Sequence, residues 1–229
     1  MVQQKVKYTD TERTPAERAR ALLEEMTLDE KMAQLGCIFP FGDSYDDMEQ
    51  QALEMPYGIG QVSTLEMRRI GTLEEAAGWQ RKMQETVMRQ SPHHIPAIFH
   101  MEGLCGAFIQ EGTSFPSGIA RGSGWDPELE EKIAKVVAKQ EAACGITHIL
   151  APVLDISRDS RMGRQGETYG EDPYLTGRMG VAVVLGLQGD TAAHYNKLHA
   201  CAKHFAVHSG PEALRHEFNA VVSEKDLWE

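Results

Sequence analysis

Apolar residues in this 229-residue chain are concentrated in four short runs. Each run is mainly apolar, without a strict alternation of apolar and polar residues, and has glycine or proline nearby, which is typical of buried parallel strands. The runs cover residues 59–65, 95–100, 146–156 and 198–207. Longer and more polar stretches separate them, and capping sequences predict helices in these stretches.

The capping sequences mark where the helices begin. Thr14-Pro15-Ala16-Glu17 and Thr27-Leu28-Asp29-Glu30 are capping boxes, and the first also has proline at the first helical position. An Asp-Pro pair opens two later helices, and glycine ends them. The predicted helices begin at Thr14 and Thr27, run from Thr72 to about Arg89, from Asp126 to Ala143 or Cys144 and from Asp172 to Gly186 or Gly189, and begin again at Ser223.

This order of elements predicts an α/β fold with a parallel sheet, either open and doubly wound or closed into a barrel. No fixed-period repeat or low-complexity linker interrupts the chain, so one domain is expected. Polar segments follow three of the apolar runs, at residues 100–102, 155–172 and 203–212. Because ligands bind at the carboxyl ends of parallel strands, these segments are expected to share one rim.

Composition limits which ligands the protein is expected to bind and in which compartment it is expected to lie. The chain carries 34 acidic and 23 basic residues, which argues against nucleic-acid binding and favours a neutral or cationic small substrate. The first ten residues lack the apolar run of a signal peptide and no stretch is apolar enough to span a bilayer, so we expect a cytoplasmic protein without membrane contact. The cysteines are widely spaced and are expected to be reduced thiols, namely Cys37, Cys105, Cys144 and Cys201.

Two polar segments admit two interpretations each. In the loop at 155–172, acids alternate with Arg158, Arg161 and Arg164. These residues form either weak surface ion pairs, or a guanidinium held by carboxylates so that it grips vicinal hydroxyls or a carboxylate. Lys203-His204 supplies either two donors at the rim, or a helix-end cation beside a core histidine.

Metal and phosphate sites are not predicted. Five histidines lie at spacings of 5, 5, 4 and 8 residues, which match no zinc motif; they are His194, His199, His204, His208 and His216. Gly118–Gly124 (GIARGSG) fits neither the dinucleotide nor the Walker pattern, so a turn before the helix at Asp126 is expected there. The chain has no G-x-S-x-G nucleophile elbow.

Three segments together resemble glycoside hydrolase family 3. They are IPAIFHMEGLCG at 95–106, RDSRMGRQGETYGEDPYL at 158–175 and KHFAVHSGPE at 203–212, in this order, and the likeness extends from about Thr27 to the chain end. The resemblance implies a retaining, exo-acting β-glycosidase with an amino-terminal (β/α)8 barrel of the TIM type. Residues 1–40 then form lead-in helices, and residues 41–229 form the first part of that barrel, which is incomplete.

The resemblance also implies a set of sugar-binding side chains. Four of them bind hydroxyls of the terminal sugar, namely Glu102, Arg164, Lys203 and His204. Four more lie around them, namely Met162, His208, Glu212 and Arg215. No cofactor or metal is implied. The catalytic nucleophile and acid/base are expected beyond Glu229, because Glu167, Glu171 and Asp172 match positions that the family uses for loop structure.

Several positions depart from the family pattern. Many relatives have Asp at the position of Glu102, Trp at Met162, Pro at Ser160 and His at Cys105. Because Glu is one methylene longer than Asp, the Glu102 carboxylate would fill the space that a hexose needs for its C6 hydroxymethyl group. A β-xylosidase is therefore expected, with a β-glucosidase as the alternative. The N-acetylglucosaminidase branch ranks lower, because Ala206–Ser209 departs from its loop segment.

Two interpretations of other classes remain open. The first is a non-catalytic sugar-binding or assembly module. The second is an unrelated α/β hydrolase or aldolase-type barrel in which Lys203 forms a Schiff base. The expected partners are a β-linked xylo- or gluco-oligosaccharide and the remaining barrel and carboxyl-terminal domains. An open barrel exposes strand edges and apolar surface, which predicts association into oligomers or aggregates.

Overall fold

The computed structural model describes residues 7–42, 44–208 and 210–228. These residues divide into two compact units. The first unit takes the chain up to Val62 together with Met83–Ala97, and the second takes Ser63–Lys82 together with the chain from Ile98 onward. The boundary near residue 40 between lead-in helices and barrel stays a prediction.

The first unit confirms both capping boxes. The hydroxyls of Thr14 and Thr27 each accept a hydrogen bond from the backbone N–H three residues further on. The glutamate at that position accepts, through its side chain, from the backbone N–H of the threonine. Its elements are α1 (Pro15–Glu25), α2 (Leu28–Ala33), β1 (Cys37–Ile38), α3 (Tyr45–Leu53) and the start of β2 (Gln61–Ser63), which is parallel to β1. The sequence analysis missed β1 and α3. The α3 helix is capped by Ser44, whose capping box closes with Asp47 instead of the usual Glu or Gln.

The second unit confirms the α/β class with parallel strands. Strands β3, β4 and β5 are parallel neighbours, and they place His100, His148 and His199 opposite one another. Its strands and helices are β3 (Ile98–Met101), β4 (His148–Ile149), β5 (His199–Ala200), α5 (Gly118–Gly122), α6 (Pro127–Ala143), α7 (Pro173–Gln188) and α8 (Glu224–Trp228), while α4 (Leu73–Gln90) contributes to both units. Helices α4, α6 and α7 begin and end close to their predicted bounds.

The regular strands are shorter than the apolar runs that predict them. After β4, Pro152 has no N–H to donate, so a regular ladder cannot continue. The segment after β4 still pairs with the segment after β5 through single hydrogen bonds. The Cys201 N–H donates to the Ala151 carbonyl (2.9 Å), and the Leu154 N–H donates to the Lys203 carbonyl (2.7 Å). These bonds fix the chain at 151–155 beside the chain at 201–204.

Helices α6 and α7 pack closely against each other. A Cβ atom at Gly186 would lie 2.5 Å from the Ala134 Cβ and 2.6 Å from the Glu131 carbonyl oxygen, so only glycine allows this approach. Helix α7 ends at Gly189, whose φ of 82° is a conformation that glycine adopts readily. None of the described helices is long and apolar enough to cross a bilayer.

The turn predicted at Gly118–Gly124 is wrong in part, because residues 118–122 form helix α5. A Cβ at Gly118 would lie 2.2 Å from the Glu167 carbonyl oxygen, and one at Gly122 would lie 2.5 Å from that of Tyr169. The glycines therefore let α5 lie directly on the backbone of the 155–172 loop. This contact between distant segments is not visible in a local pattern.

The close approach of α5 to the 155–172 loop predicts that a methyl group added at Gly118 lowers the stability of the fold. Gly118→Ala should lower the free energy of unfolding by about 1 to 3 kcal/mol, since the new Cβ forces backbone apart. Gly177→Ala, in the exposed face of α7 with nothing within 4 Å of the added Cβ, is the matched control and should raise it by about 0.5 to 1 kcal/mol. Urea unfolding monitored by circular dichroism measures both. A neutral Gly118→Ala substitution would contradict the contact.

Candidate functional site

The three polar segments meet at the ends of the parallel strands. Glu102 directly follows β3, the 155–172 loop follows the β4 segment, and Lys203 and His204 follow β5. The Lys203 ammonium donates to the Glu102 carboxylate across 2.7 Å, and Arg164 contacts the His204 ring at 3.0 Å. The structure thus brings together the four side chains that the sequence analysis assigns to sugar hydroxyls.

The Lys203–Glu102 pair is buried unevenly. The Lys203 side chain is 10% exposed, whereas that of Glu102 is 34% exposed. Lys203 binds the Oε2 oxygen of Glu102. The lysine holds the Glu102 carboxylate in place. Because carboxylate oxygens have several lone pairs, Glu102 can still accept hydrogen bonds from a ligand.

Arg164 is oriented by a carboxylate, as one of the two interpretations of the loop requires. Its Nε and Nη2 donate to the two oxygens of Glu167 across 3.0 and 2.6 Å. Hydrogen bonding to this carboxylate raises the pKa of Arg164 above its usual value. The planar fork is therefore held, and the remaining nitrogen, Nη1, points to His204. Elsewhere in the loop Arg161 forms an exposed ion pair with Asp159, so the surface-pair interpretation holds for that arginine.

Asp155 is a site residue that the sequence analysis does not assign. Its Oδ2 lies 2.7 Å from Nδ1 of His204, and its Oδ1 accepts the backbone N–H of His204 at 3.2 Å. The local signal is its position as the one acid near the end of the apolar run at 146–156. Its partner is 49 residues away in the chain, so sequence spacing does not indicate the pairing.

A polar cavity of about 80 Å³ gathers the other predicted residues. Met162, Arg164, His208, Glu212 and Arg215 line it, together with apolar neighbours. Glu212 forms an ion pair with Arg215 at 3.0 Å, and its carboxyl group lies directly over Gly163, where any Cβ would clash with it. Within the motif at 203–212, Ser209 lies outside the described residues.

His208 connects this cavity to the strand-end pairs. Its ring centroid lies 4.4 Å from that of His204. Burial, followed by the charge of His204, lowers the pKa of His208 below its usual value. The eight predicted residues therefore lie in two pairs at the strand ends and around the adjoining cavity, and His204 and Arg164 link the two groups.

A buried network supports the loops that carry Glu102 and Arg164. Arg121 on α5 binds Glu130 on α6 at 2.8 Å, and the Tyr169 hydroxyl donates to the other oxygen of Glu130 at 2.6 Å. Arg121 also donates to the Leu104 carbonyl at 3.0 Å. One arginine thus joins the turn after β3 to the 155–172 loop. Both charges are almost fully buried, so loss of one partner leaves the other uncompensated.

A larger cavity of about 630 Å³ shares Asp155, Lys203 and His204 with the site. Most of its remaining lining is apolar, including Leu154, Phe205 and Val221, so it offers few groups for hydroxyls. Among the residues that the structure describes, no three His, Cys, Asp or Glu side chains gather in a way that could hold a metal ion.

Charged side chains at the carboxyl ends of parallel strands are typical of the ligand-binding site of a parallel α/β domain, whether its sheet is open or closed into a barrel. The Glycosyl hydrolase family 3 N terminal domain matches residues 27–227, and the chain belongs to this family. The resemblance and the partial (β/α)8 barrel expected from the sequence are both confirmed.

The relatives that match the chain include proteins named beta-xylosidase and proteins named beta-glucosidase. A xylan 1,4-beta-xylosidase from Xylanibacter ruminicola is 44% identical over 134 residues, which are 51% of this chain and 15% of the relative. A periplasmic beta-glucosidase from Salmonella typhimurium is 32% identical over 200 residues, or 87% of this chain and 24% of the relative. The crystal structure of a beta-glucosidase from Listeria innocua matches with a TM-score of 0.74 and 30% identity, covering 94% of this chain and 30% of that one. The chain thus spans less than a third of each.

Glu141 on α6 is a buried acid beneath this site. It is fully buried, neither carboxyl oxygen has a hydrogen-bond partner among the described residues, and Oε1 would lie 3.0 Å from a Cβ at Gly103. Burial, followed by the charge of Glu102, raises the pKa of Glu141 well above its usual value. The folded chain therefore keeps a proton that the unfolded chain releases above about pH 4.5.

This difference in proton binding predicts a pH-dependent stability. A raised carboxyl pKa contributes stability that is present at acid pH and is lost as the pH rises above the unfolded value. Relative to wild type, Glu141→Met should therefore gain free energy of unfolding as the pH rises from about 5 towards 8, by about 1.4 kcal/mol for each pH unit over which the folded chain keeps the proton that the unfolded chain has released. Glu128→Met, at an exposed position of the same helix, is the control. Parallel pH profiles for wild type and Glu141→Met would contradict a buried neutral acid.

Proposed function

We propose that this chain is the first part of the barrel of a retaining, exo-acting β-glycosidase that releases a non-reducing-end sugar, with a β-xylosidase favoured and a β-glucosidase as the alternative. The arrangement of Glu102, Lys203, Arg164 and His204 at the strand ends carries the proposal. Relatives named beta-xylosidase and beta-glucosidase support both sugars. The full polypeptide is proposed to extend beyond this chain, in line with the small share of each relative that the chain covers.

The chemistry of the site suits a terminal sugar. A non-reducing-end sugar offers vicinal hydroxyls that both donate and accept, and the site pairs donors (Lys203, Arg164) with an acceptor (Glu102). A ligand that lacks a matching hydroxyl leaves one of these groups unpaired, which discriminates strongly between sugars. The outcome is selective binding at a single terminal unit.

The acids of this site are engaged in holding donors. Glu102 binds Lys203, Asp155 binds His204, Glu167 binds Arg164, and Glu212 binds Arg215. A retaining mechanism needs two further carboxyl groups, about 5 to 5.5 Å apart, one as nucleophile and one as acid/base. We propose that both come from parts of the polypeptide that follow this chain.

Hydrolysis of p-nitrophenyl β-xyloside and β-glucoside tests the proposal. The 229-residue chain should be inactive, whereas a polypeptide extended through the following domains should be active and should favour the xyloside. Activity of the short chain would mean that its own carboxylates include the nucleophile. If the extended polypeptide binds xylose in calorimetry without hydrolysing either substrate, a non-catalytic sugar-binding module is the correct description. Borohydride trapping of a carbonyl substrate on Lys203 would instead identify the Schiff-base chemistry.

The length of Glu102 is proposed to set the preference for xylose. Lys203 fixes its carboxylate, and Glu102→Asp withdraws that carboxylate by one methylene, which frees space for a C6 hydroxymethyl group. In the extended polypeptide, the ratio of kcat/KM for glucoside to that for xyloside should rise about 10-fold, as expected for one methylene. Glu171→Asp, the same shortening at an exposed loop position, should leave the ratio unchanged. Equal or faster turnover of the glucoside by the unsubstituted polypeptide would exclude the explanation.

A further inference from the structure

Both ring nitrogens of His204 have partners. Nδ1 lies 2.7 Å from Oδ2 of Asp155, and Nε2 lies 3.0 Å from Nη1 of Arg164. The two partners have opposite hydrogen-bonding character, because a guanidinium only donates and an ionised carboxylate only accepts. The ring therefore lies between an obligatory donor and an obligatory acceptor.

These two contacts select one tautomer of the imidazole. Arg164 can bond to Nε2 only if that nitrogen carries no proton and presents its lone pair. In the neutral ring the proton then resides on Nδ1, from which it is donated to Asp155. The opposite tautomer would place an N–H against the guanidinium N–H and a lone pair against the carboxylate.

Asp155 holds the main chain of His204 as well as its ring. Its second oxygen accepts the His204 backbone N–H at 3.2 Å, so both oxygens are used by one residue. Asp155 has a 5% exposed side chain, compared with 24% for His204, and thus lies behind the histidine. The backbone bond from Leu154 to Lys203 fixes the two segments side by side just before this contact.

We propose that Asp155 is a positioning residue that fixes His204 as the Nδ1–H tautomer, so that Nε2 serves as a hydrogen-bond acceptor in the site. The single lone pair of this nitrogen accepts from Arg164 in the structure, so a hydroxyl that takes the place of the Arg164 donor must donate its proton to Nε2. His204 then differs from its neighbours Lys203 and Arg164, which only donate. The part of this inference that concerns a sugar hydroxyl rests on the proposed function, whereas the tautomer itself does not.

Replacement of Asp155 by asparagine tests the role with little change of shape. Aspartate accepts two donors at once, the ring Nδ1–H and the backbone N–H of His204. Asparagine has one acceptor oxygen and one donor NH2 group. In either orientation of the amide, the NH2 group therefore faces one of the two N–H groups of His204. With the NH2 group toward the ring, the proton moves to Nε2 and opposes Arg164.

Histidine-ring ¹⁵N NMR of the labelled 229-residue chain measures the tautomer without any substrate. The His204 signals are assigned by their loss in His204→Gln. In the wild type we expect a protonated Nδ1 and an unprotonated Nε2, and in Asp155→Asn the loss of that single tautomer. Asp159→Asn, at a half-buried acid of the same loop that binds Arg161, should keep the wild-type signals. A protonated Nε2 in the wild type, or unchanged signals in Asp155→Asn, would overturn the assignment.

Kinetics of the extended polypeptide test the consequence for the site. Asp155→Asn should lower kcat/KM for the aryl xyloside by about 10- to 100-fold, the loss expected for a hydrogen bond to a charged group, while Asp159→Asn remains at the wild-type value. An unchanged kcat/KM in Asp155→Asn would exclude the positioning role. If the extended polypeptide hydrolyses no glycoside, the proposed function fails, and the NMR result still decides the tautomer.

Discussion

Each acid in the strand-end site is bound to a basic side chain or an imidazole, and two of the four pairs, Glu102–Lys203 and Asp155–His204, join segments that follow different strands. The contact between Arg164 and His204 is central, because it joins the 155–172 loop to the chain after β5. Glu167 and Asp155 orient the two partners from either side. Such pairs compensate the cost of burying charge only when both members are present and well aligned. The geometry of the site therefore depends on correct assembly of the strands.

Close backbone approaches provide that assembly. Gly118 and Gly122 allow α5 to lie on the 155–172 loop, and Gly186 allows α7 to contact α6. Arg121 then connects the turn after β3 to the same helices through Glu130. A rigid frame of this kind holds the side chains of the site more precisely than flexible loops would, which is what the proposed recognition of sugar hydroxyls needs.

The chain belongs to glycosyl hydrolase family 3, and binding is the role proposed for its site. The carboxylates in the site hold donors in place, and burial raises the pKa of Glu141, whose carboxyl group lies against the turn at Gly103. This separation of binding from proton transfer is consistent with a proposed enzyme whose reacting carboxyl groups lie in later segments. His204 adds an acceptor to a site otherwise rich in donors.

The sequence by itself determined the features that depend on neighbours three or four residues apart. The caps at Thr14, Thr27, Asp126 and Asp172 predicted α1, α2, α6 and α7. The order of the three long motifs also identified the family. Tertiary structure alone decided that residues 118–122 form a helix and that Asp155 binds His204. A short helix and a pair of distant side chains are stabilised by contacts with remote segments, so no local pattern specifies them.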